Sequence, residues 1–228
     1  SQETDTGGGS LKLTPAEKLA DQLQKSGQPA AYREYRGLLE KARVDAKFEH
    51  AYPHMSEGSV MIAAIGTNWE PGAWQLVVDM MTATQGQEHN VCLEEIPDPM
   101  FGLPYASLGN MMDTAVLLAQ VRGYEWLCIV ENDVLPEPDI LLRLLARDTP
   151  IIGPRVIDPE RPAGSVGYPE WPANSGLKPM RYLPFSFLLF RTSVFNCFDM
   201  PFSSLHGEGL LFLRFWNYGH RAYQDTDN

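Results

Sequence analysis

From residue 60 onward, apolar positions alternate between two patterns. Short unbroken apolar runs stand between stretches whose apolar residues recur at helical spacing. Val60-Met61-Ile62-Ala63-Ala64-Ile65 predicts a buried strand that ends in Gly66-Thr67-Asn68. A helix is predicted from Pro71 to about Thr84, with Trp74, Val77, Val78 and Met81 inward. Strands are predicted at 90–94, 125–131, 150–152, 185–190 and 222–224. Helices are predicted at 108–122, 139–147, 192–195 and 207–218. Strands alternating with helices give an α/β fold, a parallel or mixed sheet with helices on both faces.

The chain before residue 58 has another pattern. Residues 1–13 are polar and Gly-rich, predict a disordered tail and contain no signal-peptide core. Thr14, Pro15 and Glu17 supply an N-cap, an N1 proline and an N3 carboxylate for a helix running to about Lys25. A second helix, about 30–50, carries Tyr32, Tyr35, Leu38, Leu39, Ala42 and Val44 at near-helical spacing among many charges. Residues 14–57 thus predict a helical appendage and linker, packed on the main domain or on a protein partner. The main domain is predicted over 58–228.

Within it, residues 153–182 break the pattern, with six prolines and four glycines. Tyr168, Trp171 and Tyr182 stand among them, as do the basic residues Arg155, Arg161, Lys178 and Arg181. So long a stretch of turn-formers inside a domain predicts a functional loop. Its flat aromatic faces suit stacking on sugars or bases, which makes it the candidate acceptor site. The bland alternative pins the aromatics to the core.

Composition narrows the class. The chain has 228 residues, 44% of them apolar and 21% charged, so it can bury a core and is not disordered by composition. Its formal charge of −11 argues against broad electrostatic docking on nucleic acid. No run reaches the ~18 apolar residues of a membrane span. Cys92, Cys128 and Cys197 lack CxxC spacing. An odd count of that kind suggests reduced thiols and a cytoplasmic chain.

The candidate chemistry centres on residues 125–133, Glu-Trp-Leu-Cys-Ile-Val-Glu-Asn-Asp. An apolar strand there ends in Glu131-Asn132-Asp133, and ligands of open α/β sheets bind at the C-terminal ends of strands. Two carboxylates two residues apart can hold a hard divalent cation that engages nucleotide phosphates. The alternative is a polar strand-to-helix turn in which Asp133 caps.

With its continuation Val134-Leu135-Pro136, this triplet resembles the DxD-Val-x-Pro motif of the inverting nucleotide-diphosphate-sugar glycosyltransferases of the GT-A fold. The resemblance covers some 170 residues, from about Val60 onward. Residues 61–68 resemble the family's opening strand. Met112-Asp113, before Gly123, stand at its nucleotide-contacting helix position. Gly207-Glu208, with Arg214 and Gly219, resemble its catalytic helix. The resemblance implies a GT-A mixed sheet and transfer of a sugar from a nucleoside diphosphate, most simply UDP, to a hydroxyl acceptor. It implies Mn²⁺ or Mg²⁺ at Asp133 with Glu131 as partner, and Glu208 as general base. It implies donor contacts at Ile65, Gly66, Thr67, Glu94, Asp113 and Asn132. It also implies a metal-ligand His beyond the final strand, past Asn228. His206 stands near Glu208 and could line the site, while His220 packs or points to solvent. A nucleotidyltransferase is a rival, but the turn at 66–71 carries no basic residue. A catalytically silent relative that binds a partner is the non-enzymatic alternative.

Overall fold

A computed structural model describes residues 56–66, 68–85, 89–96, 104–157, 173–181, 183–197 and 208–227. The predicted tail, the helices over 14–50, and Thr67, Tyr168, Trp171, Tyr182 and His206 lie outside the described residues.

The element order is β1 (Ser56–Ile65), α1 (Pro71–Gln85), β2 (Asn90–Glu95), α2 (Pro104–Arg122), β3 (Tyr124–Glu131), α3 (Ile140–Ala146) and β4 (Ile151–Pro154). Then come β5 (Leu177–Met180), β6 (Phe187–Arg191), a 3-10 turn (Thr192–Cys197), α4 (Glu208–Asn217) and β7 (Ala222–Asp225). One seven-stranded sheet has the order β2-β1-β3-β6-β4-β7-β5. The β1/β2, β1/β3 and β4/β7 pairs are parallel. Strand β6 runs antiparallel to both β3 and β4, and β5 antiparallel to β7. This is a mixed α/β fold flanked by helices, consistent with the GT-A expectation.

The sheet has two apolar faces because successive side chains on a strand point opposite ways. Met61, Ala63, Ile65, Leu127, Ile129, Leu188, Phe190 and Ile151 pack with α2 and α4. Val60, Ile62, Trp126, Cys128, Val130, Phe187, Leu189 and Ile152 pack with α1 and α3. The continuous apolar runs in the sequence follow from this double burial.

Some expectations shift. The sheet begins at Ser56, inside the predicted linker, with a register irregularity between Ser56 and Val60. Helix α1 buries Ala73, Val77, Met80 and Thr84. Trp74, Val78 and Met81 are only half-buried, so the inward stripe is rotated from the predicted one. The 153–182 segment is not wholly loop, because Leu177–Met180 forms the edge strand β5. Arg147 binds Asp225 (Nε–Oδ2 2.9 Å) and Asp227 (Nη2–Oδ2 2.6 Å), tying the end of α3 to β7. The Gly176 N–H and Arg147 hold the Asp227 carboxyl below its usual range.

Candidate functional site

The parallel strands β1 and β3 end side by side, with Ile65 paired to Glu131. Ile65 is fully buried, so it supplies backbone position and packing rather than a polar contact. Gly66 follows at φ +109°. A Cβ there would lie 2.7 Å from Cγ and Oδ1 of Asn132. Only glycine lets the β1 turn close against Asn132, for steric and for backbone reasons. Asn132 is therefore a packed partner of the β1 turn, and both come from the donor-contact set.

The triplet itself forms a tight turn. The Glu131 N–H donates to Ser186 O (2.9 Å), and the Val134 N–H donates back to Glu131 O (3.2 Å). Glu131 and Asn132 are half-buried and Asp133 is exposed. The capping alternative for Asp133 fails on position, because α3 starts at Ile140 with Asp139 before it. Asp133 therefore projects from the strand-end turn. Among the described residues no group of three His, Cys, Asp or Glu side chains is placed to hold a metal. Two carboxylates still fit a cation that takes its remaining ligands from water and substrate phosphates, the usual manner of Mg²⁺.

The other expected contacts divide. Glu94 near the end of β2 forms an ion pair with Arg122 and accepts from Cys92 Sγ (3.4 Å). Burial and the neighbouring carboxylate raise the Cys92 thiol. Tyr124, buried and hydrogen-bonded to Cys92, is pushed up to about 12. Glu94 thus belongs to a polar cluster under α2. Asp113 is 0% exposed, which excludes the solvated-helix alternative for it. Glu208 opens α4, although its side chain lies outside the described residues. Helix α4 leads by a short turn into β7, which through β4 and β6 is parallel to β3. Glu208 therefore starts at the end of α4 remote from the start of β7, toward the edge where β3 ends. His220 packs its ring against Phe215 (centroids 6.4 Å apart), as one of its two sequence readings held. Cys92 and Cys128 are free thiols.

Two features had no sequence signal. Trp69, just past the β1 turn, packs edge-on against Trp74 (centroids 5.4 Å apart), and its buried indole N–H has no acceptor among the described residues. A cavity of about 300 Å³ lies at the opposite sheet edge, lined by Glu57, Glu125, Arg191 and Ser193. There Arg191 binds Glu125 (3.1 Å) and Asp148 and lies over Trp126, 4.6 Å from the ring centroid. The cavity lies where β1 and β3 start, away from the strand ends at which ligands of open α/β sheets bind. The candidate site is therefore taken at the β1/β3 ends despite the cavity.

No protein-family model matches the chain. No curated protein matches it either. Among solved structures, A197 from STIV is 12% identical, covering 73% of this chain and 80% of that one, with a TM-score of 0.49. A protein of Desulfovibrio desulfuricans G20, provisionally named a nucleotide-diphospho-sugar transferase, is 12% identical. It covers 76% of this chain and 84% of that one, with a TM-score of 0.37. Likenesses this distant carry no argument about the chemistry. No helix among the described residues is long and apolar enough to cross a membrane.

Proposed function

We propose that the chain is a glycosyltransferase that moves a sugar from a nucleoside diphosphate, UDP in the simplest case, to an acceptor hydroxyl with inversion. The observation that carries this reading is the paired end of β1 and β3. There Gly66 closes on Asn132 while Glu131 and Asp133 stand on the adjacent turn. Ligands of open α/β sheets bind at such strand ends.

Asp133, with Glu131 beside it, would hold Mn²⁺ or Mg²⁺. Such a cation neutralises the charge that develops on the departing diphosphate. The backbone at Gly66, with Asn132, seats the donor against the sheet edge. Thr67 belongs to the same turn in sequence. Glu208, at the head of α4, takes the proton from the acceptor hydroxyl as its oxygen attacks the anomeric carbon. One bond forms, the bond to the diphosphate breaks, and no covalent enzyme adduct is required. The acceptor enters from the side of residues 153–182, where Arg155 and Lys178 supply positive charge.

Calorimetric titration with UDP, with and without Mn²⁺, tests the binding half of this reading. Metal-dependent UDP binding is expected. A folded chain that binds no UDP under either condition would instead be a binding module. Glu208→Gln tests the chemical half. Donor binding should persist while transfer falls by roughly 10²–10⁴-fold, the range of general-base catalysis. Unchanged turnover removes Glu208 from the base role.

A further inference from the structure

Gln224 on β7 is 1% exposed, and neither its Oε1 nor its Nε2 has a hydrogen-bond partner among the described residues. Gln120, by contrast, keeps a bond from its Nε2 to Asn196 (3.2 Å). A buried amide costs free energy unless something pairs it. Arg155, just past β4, shows the same deficit. Its Nε is buried without an acceptor, and it enters no ion pair among the described residues.

The two residues share a place in the fold. Gln224 pairs in register with Gly153 on the parallel strand β4. Residues two apart on a strand share a face, so Gln224 lies on the face of Ala222, and Arg155 continues that of Ile151 and Gly153. Ala222 and Ile151 both pack on the α2 and α4 side. Strands β4 and β7 run parallel to β3, so both residues stand at the sheet edge where Glu131 ends β3. Beside Gln224, a Cβ on Gly153 would lie 3.0 Å from Leu188 Cδ2 and 3.5 Å from Leu183 Cδ1. The amide therefore has apolar neighbours on that flank, and the strand end is its polar direction. Helix α4 opens at the same edge. Its Phe212 stacks on Phe185 (centroids 5.9 Å apart), and the next residue, Ser186, accepts the Glu131 N–H. At about 4.8 Å per strand, β4 and β7 stand roughly 10 and 14 Å from β3. They share the edge of the Asp133 turn without crowding it.

We propose that Gln224 and Arg155 form a subsite for an anionic sugar. A sugar hydroxyl both donates and accepts, which suits the two kinds of polar atom on the Gln224 amide. The Arg155 guanidinium takes the sugar's carboxylate or phosphate. An uncharged sugar would leave Arg155 unpaired. The Gln224 side chain turns toward the strand end to make its contact. That this sugar is the acceptor rests on the glycosyltransferase reading, whereas the subsite itself stands on the two unpaired side chains.

The test is calorimetric titration of the full chain with glucuronate, glucose 6-phosphate, glucose and inorganic phosphate, each with and without UDP and Mn²⁺. Glucuronate or glucose 6-phosphate should bind about tenfold or more tightly than glucose and than inorganic phosphate, and the stronger of the two tells carboxylate from phosphate. Arg155→Met should remove the preference over glucose, and Gln224→Met should weaken binding by about tenfold or more. Gln224→Met should also raise the melting temperature by about 2 °C or more, since an unpaired amide leaves the core. A lowered melting temperature would show that the amide serves the fold, and it would overturn the proposal. Equal binding of all the sugars, binding of none, or phosphate binding as tightly as the anionic sugars would overturn it too. UDP binding without anionic-sugar binding removes the subsite and leaves the transferase reading. Anionic-sugar binding without UDP binding does the reverse.

Discussion

The two edges of the sheet carry similar residue types and use them in opposite ways. At the edge where β1 and β3 start, Glu125 accepts from the Gly58 N–H (2.7 Å) and from Arg191, which also binds Asp148. Trp126 lies beneath the guanidinium. At the edge where the same strands end, Glu131 and Asp133 sit on a turn with Asn132 pressed to a glycine. Asp133 there is exposed. The first edge has the cavity, and the second is where the chemistry is proposed. Carboxylates held together at strand ends cost stability through repulsion, which a bound cation would relieve.

The sharpest break of this comparison is Asp133→Asn. Transfer should fall on the order of a thousandfold, since a bound cation contributes several kcal/mol and 1.4 kcal/mol is tenfold. Melting temperature should hold or rise, and nucleoside diphosphate release with Mn²⁺ measures the loss. Gly66→Ala comes next. The residue would take a strained φ and displace Asn132, costing about 1–3 kcal/mol. Denaturant unfolding and UDP titration should both register it. Arg191→Met probes the opposite edge. It leaves Glu125 short of a partner, at about 1–2 kcal/mol after allowing for the guanidinium's exposure. UDP binding should be unchanged, and a loss of binding there would break the division between the edges.

The smallest effect concerns His220. Desolvation lowers its folded-state value below the ordinary 6.5. Above pH 6.5 the ring is neutral in both states and pH has no effect through it. As pH falls through 6.5 the unfolded chain takes up the proton first, so stability drops. Melting curves at pH 7.5 and 5.5 should show this drop, and His220→Phe should reduce it.

Much of this was legible in sequence because strands buried on both faces read as unbroken apolar runs. Val60–Ile65 and Trp126–Val130 are the clearest cases. The Pro/Gly content of 153–182 concealed β5, since an edge strand can carry Pro179 where an inner strand could not. Helix α1 was misread in rotation because Trp74 is large and apolar, yet pairs with Trp69 at the rim. The strand-end triplet was visible because charges end an apolar run there. The tie between Gly66 and Asn132 was not visible, because it depends on which strands become neighbours. The Arg122–Glu94 pair was hidden for the same reason, 28 residues apart in sequence.

Strand β6 sets the order in which this chain can assemble. It sits between β3 and β4, although the chain makes β4 first. Until residues 187–191 arrive, β3 has an open edge and β4 has no antiparallel neighbour. The unit β2-β1-β3 can form early from nearby sequence, while the β4-β7-β5 half waits on a late insertion. Such non-local closure slows folding and leaves apolar strand edges exposed meanwhile. On the ribosome, the first half of the sheet would stand unsealed until almost the whole domain had emerged.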